Sequence, residues 1–228
     1  MKSSATRLMY LSALIVSVVT SGAAQQVPPV GTIDQRVGLK AGFRDAGEAA
    51  RNMEHIATLP KPEGFFDPTA PAGRGSPPES ANPQAPANPA QPPPFDPVAS
   101  NRLAYTNSDL AFTGNHVIVG SYHGFNTYDV ERPNNPKLLG SVVCPGGQGD
   151  VSVHGHLLFM SVEQTRGRLD CGTQGIQEKV SVERFRGIRI FDIGDINKPK
   201  QLAAIQPCRG SHTHTVVTDL NDRANLYV

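Results

Sequence analysis

Apolar residues change their rhythm along this chain. A run from Leu8 to Val19 comes first, and a sparser set follows at Ala49, Met53, Ile56 and Leu59, spaced by three and four as on one face of a helix. From Pro60 to Pro97 aliphatic side chains almost vanish. After Ser100 short apolar runs return at short intervals, and these predict strands over 109–113, 116–121, 125–130 and 137–143. Gly114-Asn115, His123-Gly124 and a turn over 131–136 separate them. A second set is predicted over 151–154, 156–162, 188–193 and 201–205, and a third begins with 215–218 and 226–228. The helix-spaced set predicts a helix from Asp45, a capping residue, to Leu59, ended by Pro60.

The two complete strand sets share a motif. Gly124-Phe-Asn-Thr-Tyr-Asp129-Val leads through Asn134-Asn-Pro136-Lys137 to Leu139, and Gly187-Ile-Arg-Ile-Phe-Asp192-Ile leads through Asn197-Lys-Pro199-Lys200 to Leu202. The prolines lie 63 residues apart, but 31 residues separate His156 from Gly187 against 8 between His116 and Gly124. Without the extra 23 residues the period is about 40, the length of a four-stranded propeller blade. On this layout Asp129 and Asp192 bond to backbone amides of the following turn. Asn134 and Asn197 tolerate left-handed backbone there, and each proline sets the angle into an outer strand.

Gly114-Asn-His-Val-Ile-Val119, Gly124-Phe-Asn-Thr-Tyr-Asp129-Val and Asn134-Asn-Pro136-Lys together resemble the LVIVD-repeat family. The resemblance covers residues 103–228 and implies a secreted or surface β-propeller, with no particular activity attached. Phe-Asn-Thr-Tyr-Asp129 and Ile-Arg-Ile-Phe-Asp192 depart from the sequence that names the family. The expected fold class is therefore all-β, with two blades and the start of a third. Closed propellers have four to eight blades, and Asn225-Leu-Tyr-Val228 falls within a strand, so the chain is expected to be the N-terminal part of a longer protein.

Lys2 and Arg7 before the first apolar run, with Ser21-Gly22-Ala23-Ala24 after it, read as a signal peptide over 1–24. The run is short for a membrane span, and a membrane association is expected only if this segment stays uncleaved. Residues 25–59 then hold the predicted helix. Thirteen prolines between Pro60 and Pro97 mark a Pro-rich, semi-rigid linker over 60–99 that cannot build a core. Removing residues 1–24 leaves 19 basic against 20 acidic side chains, a balance that offers nucleic acid no electrostatic attraction. Secretion, periplasmic residence or surface display follows from the signal. There Cys144, Cys171 and Cys208 meet oxidising conditions, and an odd count leaves one thiol over.

In a propeller the fourth-to-first and second-to-third connections share a face. That rim would carry Cys144-Pro-Gly-Gly-Gln148, the inserted residues 163–186, and Cys208-Arg-Gly-Ser-His212. A Cys144–Cys171 disulfide would staple the insertion, contributing roughly 3 kcal/mol in the chain-entropy model, while Cys144–Cys208 is the rival pairing. Gln148, Glu163, Arg166, His123 and Arg209 are the candidate binding residues of the rim. In Ser211-His212-Thr213-His214-Thr215 the histidines at alternate positions share a face. Aligning the repeats sets His214 against Asp109 and Asp150, so His212, His214, Asp109 and Asp150 form a candidate set for a divalent metal ion, the one cofactor the pattern suggests. Two histidines are an incomplete zinc set, and polar groups at such a mouth also simply cap loops. No nucleophile elbow, P-loop, dinucleotide fingerprint or HExxH motif is present. The leading reading is a binding scaffold for a protein or other cell-surface ligand. The alternative is a metal-dependent hydrolase or oxidase using the channel residues.

Overall fold

Backbone hydrogen bonding gathers the short apolar runs into antiparallel ladders. The structure is a computed structural model that describes residues 34–42, 45–69 and 105–228; the segment read as a signal peptide and the Pro-rich residues 70–99 lie outside them. Strands β1 (Asn107–Thr113), β2 (His116–Ser121), β3 (Gly124–Asp129) and β4 (Lys137–Val143) form one four-stranded sheet in that order. A second sheet follows in the same order with β5 (Val151–His154), β6 (Leu157–Val162), β7 (Gly187–Asp192) and β8 (Lys200–Ile205). A hairpin of β9 (Val217–Asp219) and β10 (Asp222–Tyr227) completes the strands, displaced by a few residues from the expected 215–218 and 226–228.

The shared motif has the same physical content in both sheets. Gly124 and Gly187 stand so close to the neighbouring strand that a Cβ would overlap the carbonyl oxygen of Val142 or Ile205. Asp129 accepts the amide of Glu131 at 2.8 Å, and Asp192 accepts that of Gly194 at 2.8 Å. The turns close alike, by Asn135 N–H to Arg132 O and by Lys198 N–H to Asp195 O. Each third strand shifts register against the fourth at the same motif position, after Thr127 and after Ile190. The asparagines do not use that tolerance. Asn52 and Cys171 are the non-glycine residues with positive φ among the described residues, so neither Asn134 nor Asn197 is left-handed. Asn197 instead donates its backbone and side-chain N–H groups to Asp195, which holds the turn without unusual backbone.

The core lies between the two sheets. Ile118 and Phe125 of the first pack with Val151, Leu158, Met160, Phe191 and Ile193 of the second, and the Phe125 and Phe191 rings meet edge-to-face at 5.0 Å. Thr127 Oγ1 donates to Ile196 O at 2.9 Å, tying β3 to the turn after β7. Two carboxylates add a recurring link. Asp109 accepts the amide of Val151 at 3.0 Å, and Asp150 accepts that of His214 at 2.9 Å.

The helix expected over 45–59 does not form. By contact density the chain divides into residues 1–50 and 51–228, and the described residues of both are free of helix. Asn52 has φ 58°, and Met53, Ile56 and Leu59 stay exposed. Without a surface to cover, an apolar stripe gives a helix of about 15 residues little stability in water. In the first unit, Arg36 chelates Asp34 and Gly47 N–H donates to Lys40 O.

Candidate functional site

The connection between β6 and β7, residues 163–186, lies at the end of the second sheet where the 144–149 connection also runs. The structure joins Cys144 to Cys171, 27 residues apart, and leaves Cys208 a free, exposed thiol. The pairing follows from topology, because Cys144 leaves β4 beside the insertion. Within the insertion, Leu169 N–H donates to Glu183 O and Phe185 N–H to Gly167 O, while Ile176 and Phe185 are buried beneath. Arg168 sits between Asp170 and Glu183, each at 2.7 Å, and the guanidinium holds the Asp170 carboxyl well below the usual carboxylate range.

Sequence reasoning missed the residue that organises this end. Arg189 of β7 is fully buried, and its guanidinium donates to Cys144 O at 3.2 Å, to Pro145 O at 3.3 Å and to Arg168 O, with its charge over the Phe185 ring. It therefore grips both segments that the disulfide joins. Burial lowers its pKa to about 10, which leaves it charged at neutral pH. A signal was available. Arg189 is two residues past Gly187, an inward position on the strand, as Asn126 is two past Gly124, and both polar side chains are buried.

Of the rim candidates, the structure brings Gln148, Glu163 and His212 together. Glu163 accepts His212 at 2.5 Å from Nδ1 and the Gln148 amide at 3.4 Å, while its backbone carbonyl accepts Arg186 Nε at 3.0 Å. Arg166 stays inside the insertion, where its carbonyl accepts Ile176 N–H, and Arg209 is exposed on the 208–214 connection. His123 belongs to another cluster at the end of the first sheet. Its ring lies 4.8 Å from Tyr105 and meets Phe65 edge-on at 6.0 Å, and burial pushes its pKa down. Phe65 was grouped with the Pro-rich linker by composition, yet it is 1 % exposed.

The four candidate metal ligands are not assembled around one point. Among the described residues no group of three or more His, Cys, Asp or Glu is arranged to hold a metal ion. His212 is engaged with Glu163 and His214 with Asp150, while Asp109 serves the Val151 amide. The turns also correct the alignment. Thr113, His154 and Asp219 each close a hairpin opposite the first residue of the next strand, and four residues before them stand Asp109, Asp150 and Thr215, so His214 is one position early.

Ser161, His214 and Asp150 form a buried cluster without triad geometry. Both Ser161 Oγ and Asp150 Oδ2 lie 2.9 Å from the same nitrogen, His214 Nδ1, and Nε2 has no partner, so the ring does not stand between serine and carboxylate. Burial lowers the His214 pKa, opposed by Asp150 and Asp109. Neutral imidazole beside a carboxylate keeps its proton on Nδ1. The far face of this sheet carries a groove of about 310 Å³ lined by Phe159, Ile188, Ile190 and Ile205, with Ser211 at its edge. By register Phe159 corresponds to Ile118, and Ile188 to Phe125, which the first sheet buries against the second. No protein-family model matches this chain, and no curated protein sequence does.

Proposed function

We propose that the chain is β-propeller material of the LVIVD-repeat kind, exported by its N-terminal signal sequence, and that it acts as a binding scaffold for a protein or other cell-surface ligand. Identical strand order in the two sheets, matched register shifts and the recurring carboxylate-to-amide link support the propeller reading. So does the apolar groove, which presents the second sheet to a further layer as the first is presented to the second. A disulfide is compatible with an oxidising compartment.

The observation that carries the scaffold reading is the Glu163 node. One carboxylate joins three connections, through Gln148, its own insertion and His212, and the Cys144–Cys171 disulfide with Arg189 fixes the ground beneath it. Such a face is preorganised and polar, as recognition surfaces are. Immobilised full-length protein should capture a restricted set of probes from peptide and surface-glycan arrays. Combined Glu163→Gln and His212→Ala should weaken capture at least tenfold, while Lys198→Ala, at the opposite end of the strands, should not. Capture indifferent to the rim pair would defeat the reading.

A further inference from the structure

Each four-stranded sheet has two faces, and the register shows which side chains hold the same place in both. Thr113 pairs with His116 and His154 with Leu157, so Leu110, Phe112, Val117 and Val119 of the first sheet correspond to Val151, Val153, Leu158 and Met160 of the second. Tyr128, opposite Val117, and Phe191, opposite Leu158, correspond likewise. In the second sheet this back face is packed on the first sheet, with Val151, Leu158, Met160 and Phe191 buried in the shared core. In the first sheet it is apolar or aromatic at the same five positions, yet Leu110 is 54 % and Phe112 68 % exposed, and Leu138, opposite Tyr128, is exposed beside them. The front faces repeat the contrast. Ile118, Phe125 and Val142 of the first sheet pack in the core against the back of the second. Their counterparts Phe159, Ile188 and Ile205 line the apolar groove, where Ile205 is 56 % exposed. Of residues 217–228 only Val228 lines this groove, so the β9–β10 hairpin borders it without filling it.

The chain therefore exposes both halves of a contact that it already makes once internally. Two such complementary faces at opposite ends of a stack define a head-to-tail contact between copies. We propose that the groove of the second sheet receives the back of the first sheet of a second copy, with Tyr128 set against Ile188 as Phe191 is set against Phe125. The match of positions favours this occupant, and its docking takes Leu110, Phe112 and Ile205 out of water in one step. The contact is heterologous, so a pair still presents one groove and one back face, and addition continues until a ring closes. The inference rests on the propeller reading of the two sheets and makes no use of the Glu163 rim.

The test is sedimentation velocity on the full-length chain carrying Cys208→Ser, which keeps a disulfide between copies from imitating the contact. Its mean mass should rise above that of the monomer between about 1 and about 100 μM, the range over which a micromolar contact forms. Phe112→Asp spoils only the back face and Ile205→Asp only the groove, and each should weaken self-association at least tenfold by placing an unpaired carboxylate in the contact. Both side chains are more than half exposed, so neither change disturbs the interior of the fold. Mixed together, the two variants should form a pair with one copy of each and stop there, because the faces left outward are the spoiled ones. That recovery also shows that both variants are folded. A monomer throughout the range, association that survives either substitution, or a mixture that stays monomeric overturns the proposal. A chain that stays monomeric while its Glu163 rim still captures probes sinks this inference alone.

Discussion

The two four-stranded sheets are built alike and finished differently. At the first, the β2–β3 connection is only Tyr122-His123, and the exposed end is covered by Phe65 from a distant segment. At the second, the β6–β7 connection grows to residues 163–186 and covers its own end with Ile176 and Phe185, fastened by a disulfide and by Arg189. The difference teaches what a shared scaffold leaves free. Strand order and turn chemistry are repeated because the sheet geometry demands them, whereas the end of each sheet needs only that its apolar atoms be covered. The second cover is pinned by a disulfide and a buried guanidinium, and the first by the Phe65 ring against His123.

The largest test of that contrast exchanges the buried polar residue at the matched motif position. Arg189→Ala should cost on the order of 4 kcal/mol, since it strands the carbonyls of Cys144, Pro145 and Arg168 and opens a cavity. Asn126→Ala should cost only about 1 kcal/mol, because its buried Oδ1 has no partner to lose. Urea unfolding of the two variants measures both. Equal losses would mean that the second sheet does not depend on its cover more than the first.

A smaller effect is expected from removing the staple. The Cys144→Ser, Cys171→Ser double variant should lose roughly 3 kcal/mol by the chain-entropy argument for a 27-residue separation. Limited trypsin digestion should then cut the insertion at Arg166 or Lys179 while the first sheet stays intact. If sites in the first sheet are cut as readily, the two covers are not independent.

These features were unequally visible in the sequence. The strands and their turns were legible because Gly124, Asp129, Gly187 and Asp192 act through backbone contacts within their own repeat, so a repeated motif encodes them directly. The disulfide was narrowed to two pairings, and only the placement of the insertion decides between them. Phe65 was hidden because its ring partner, His123, lies 58 positions further on, across a composition that reads as spacer. The same blindness produced the false helix over 45–59, where spacing suggested a buried face and the fold supplies nothing to bury it. The candidate metal set is divided in the structure for a related reason. Alternation put His212 and His214 on one face, but each found a carboxylate of its own, Glu163 or Asp150.

The mildest test titrates one histidine at each sheet. Burial lowers the pKa of His123, and burial opposed by Asp150 and Asp109 lowers that of His214, from an ordinary value of 6.5. The unfolded chain then binds protons at these sites before the folded chain does, so stability rises with pH through the interval between the two values. Their contribution is fully present above about pH 6.5 and is lost as pH falls from there toward the folded values. The aspartates held low, Asp170, Asp195 and Asp222, act in a separate window, since their contribution is lost only as pH falls below the ordinary 3.8. Urea midpoints should therefore be flat above about pH 7 and decline as pH falls below about 6.5. His123→Phe, which keeps an aromatic wall for Phe65, should flatten part of that decline, and His214→Asn another part. A decline unchanged in both variants would show that neither sheet carries a buried neutral histidine as a stabilising element.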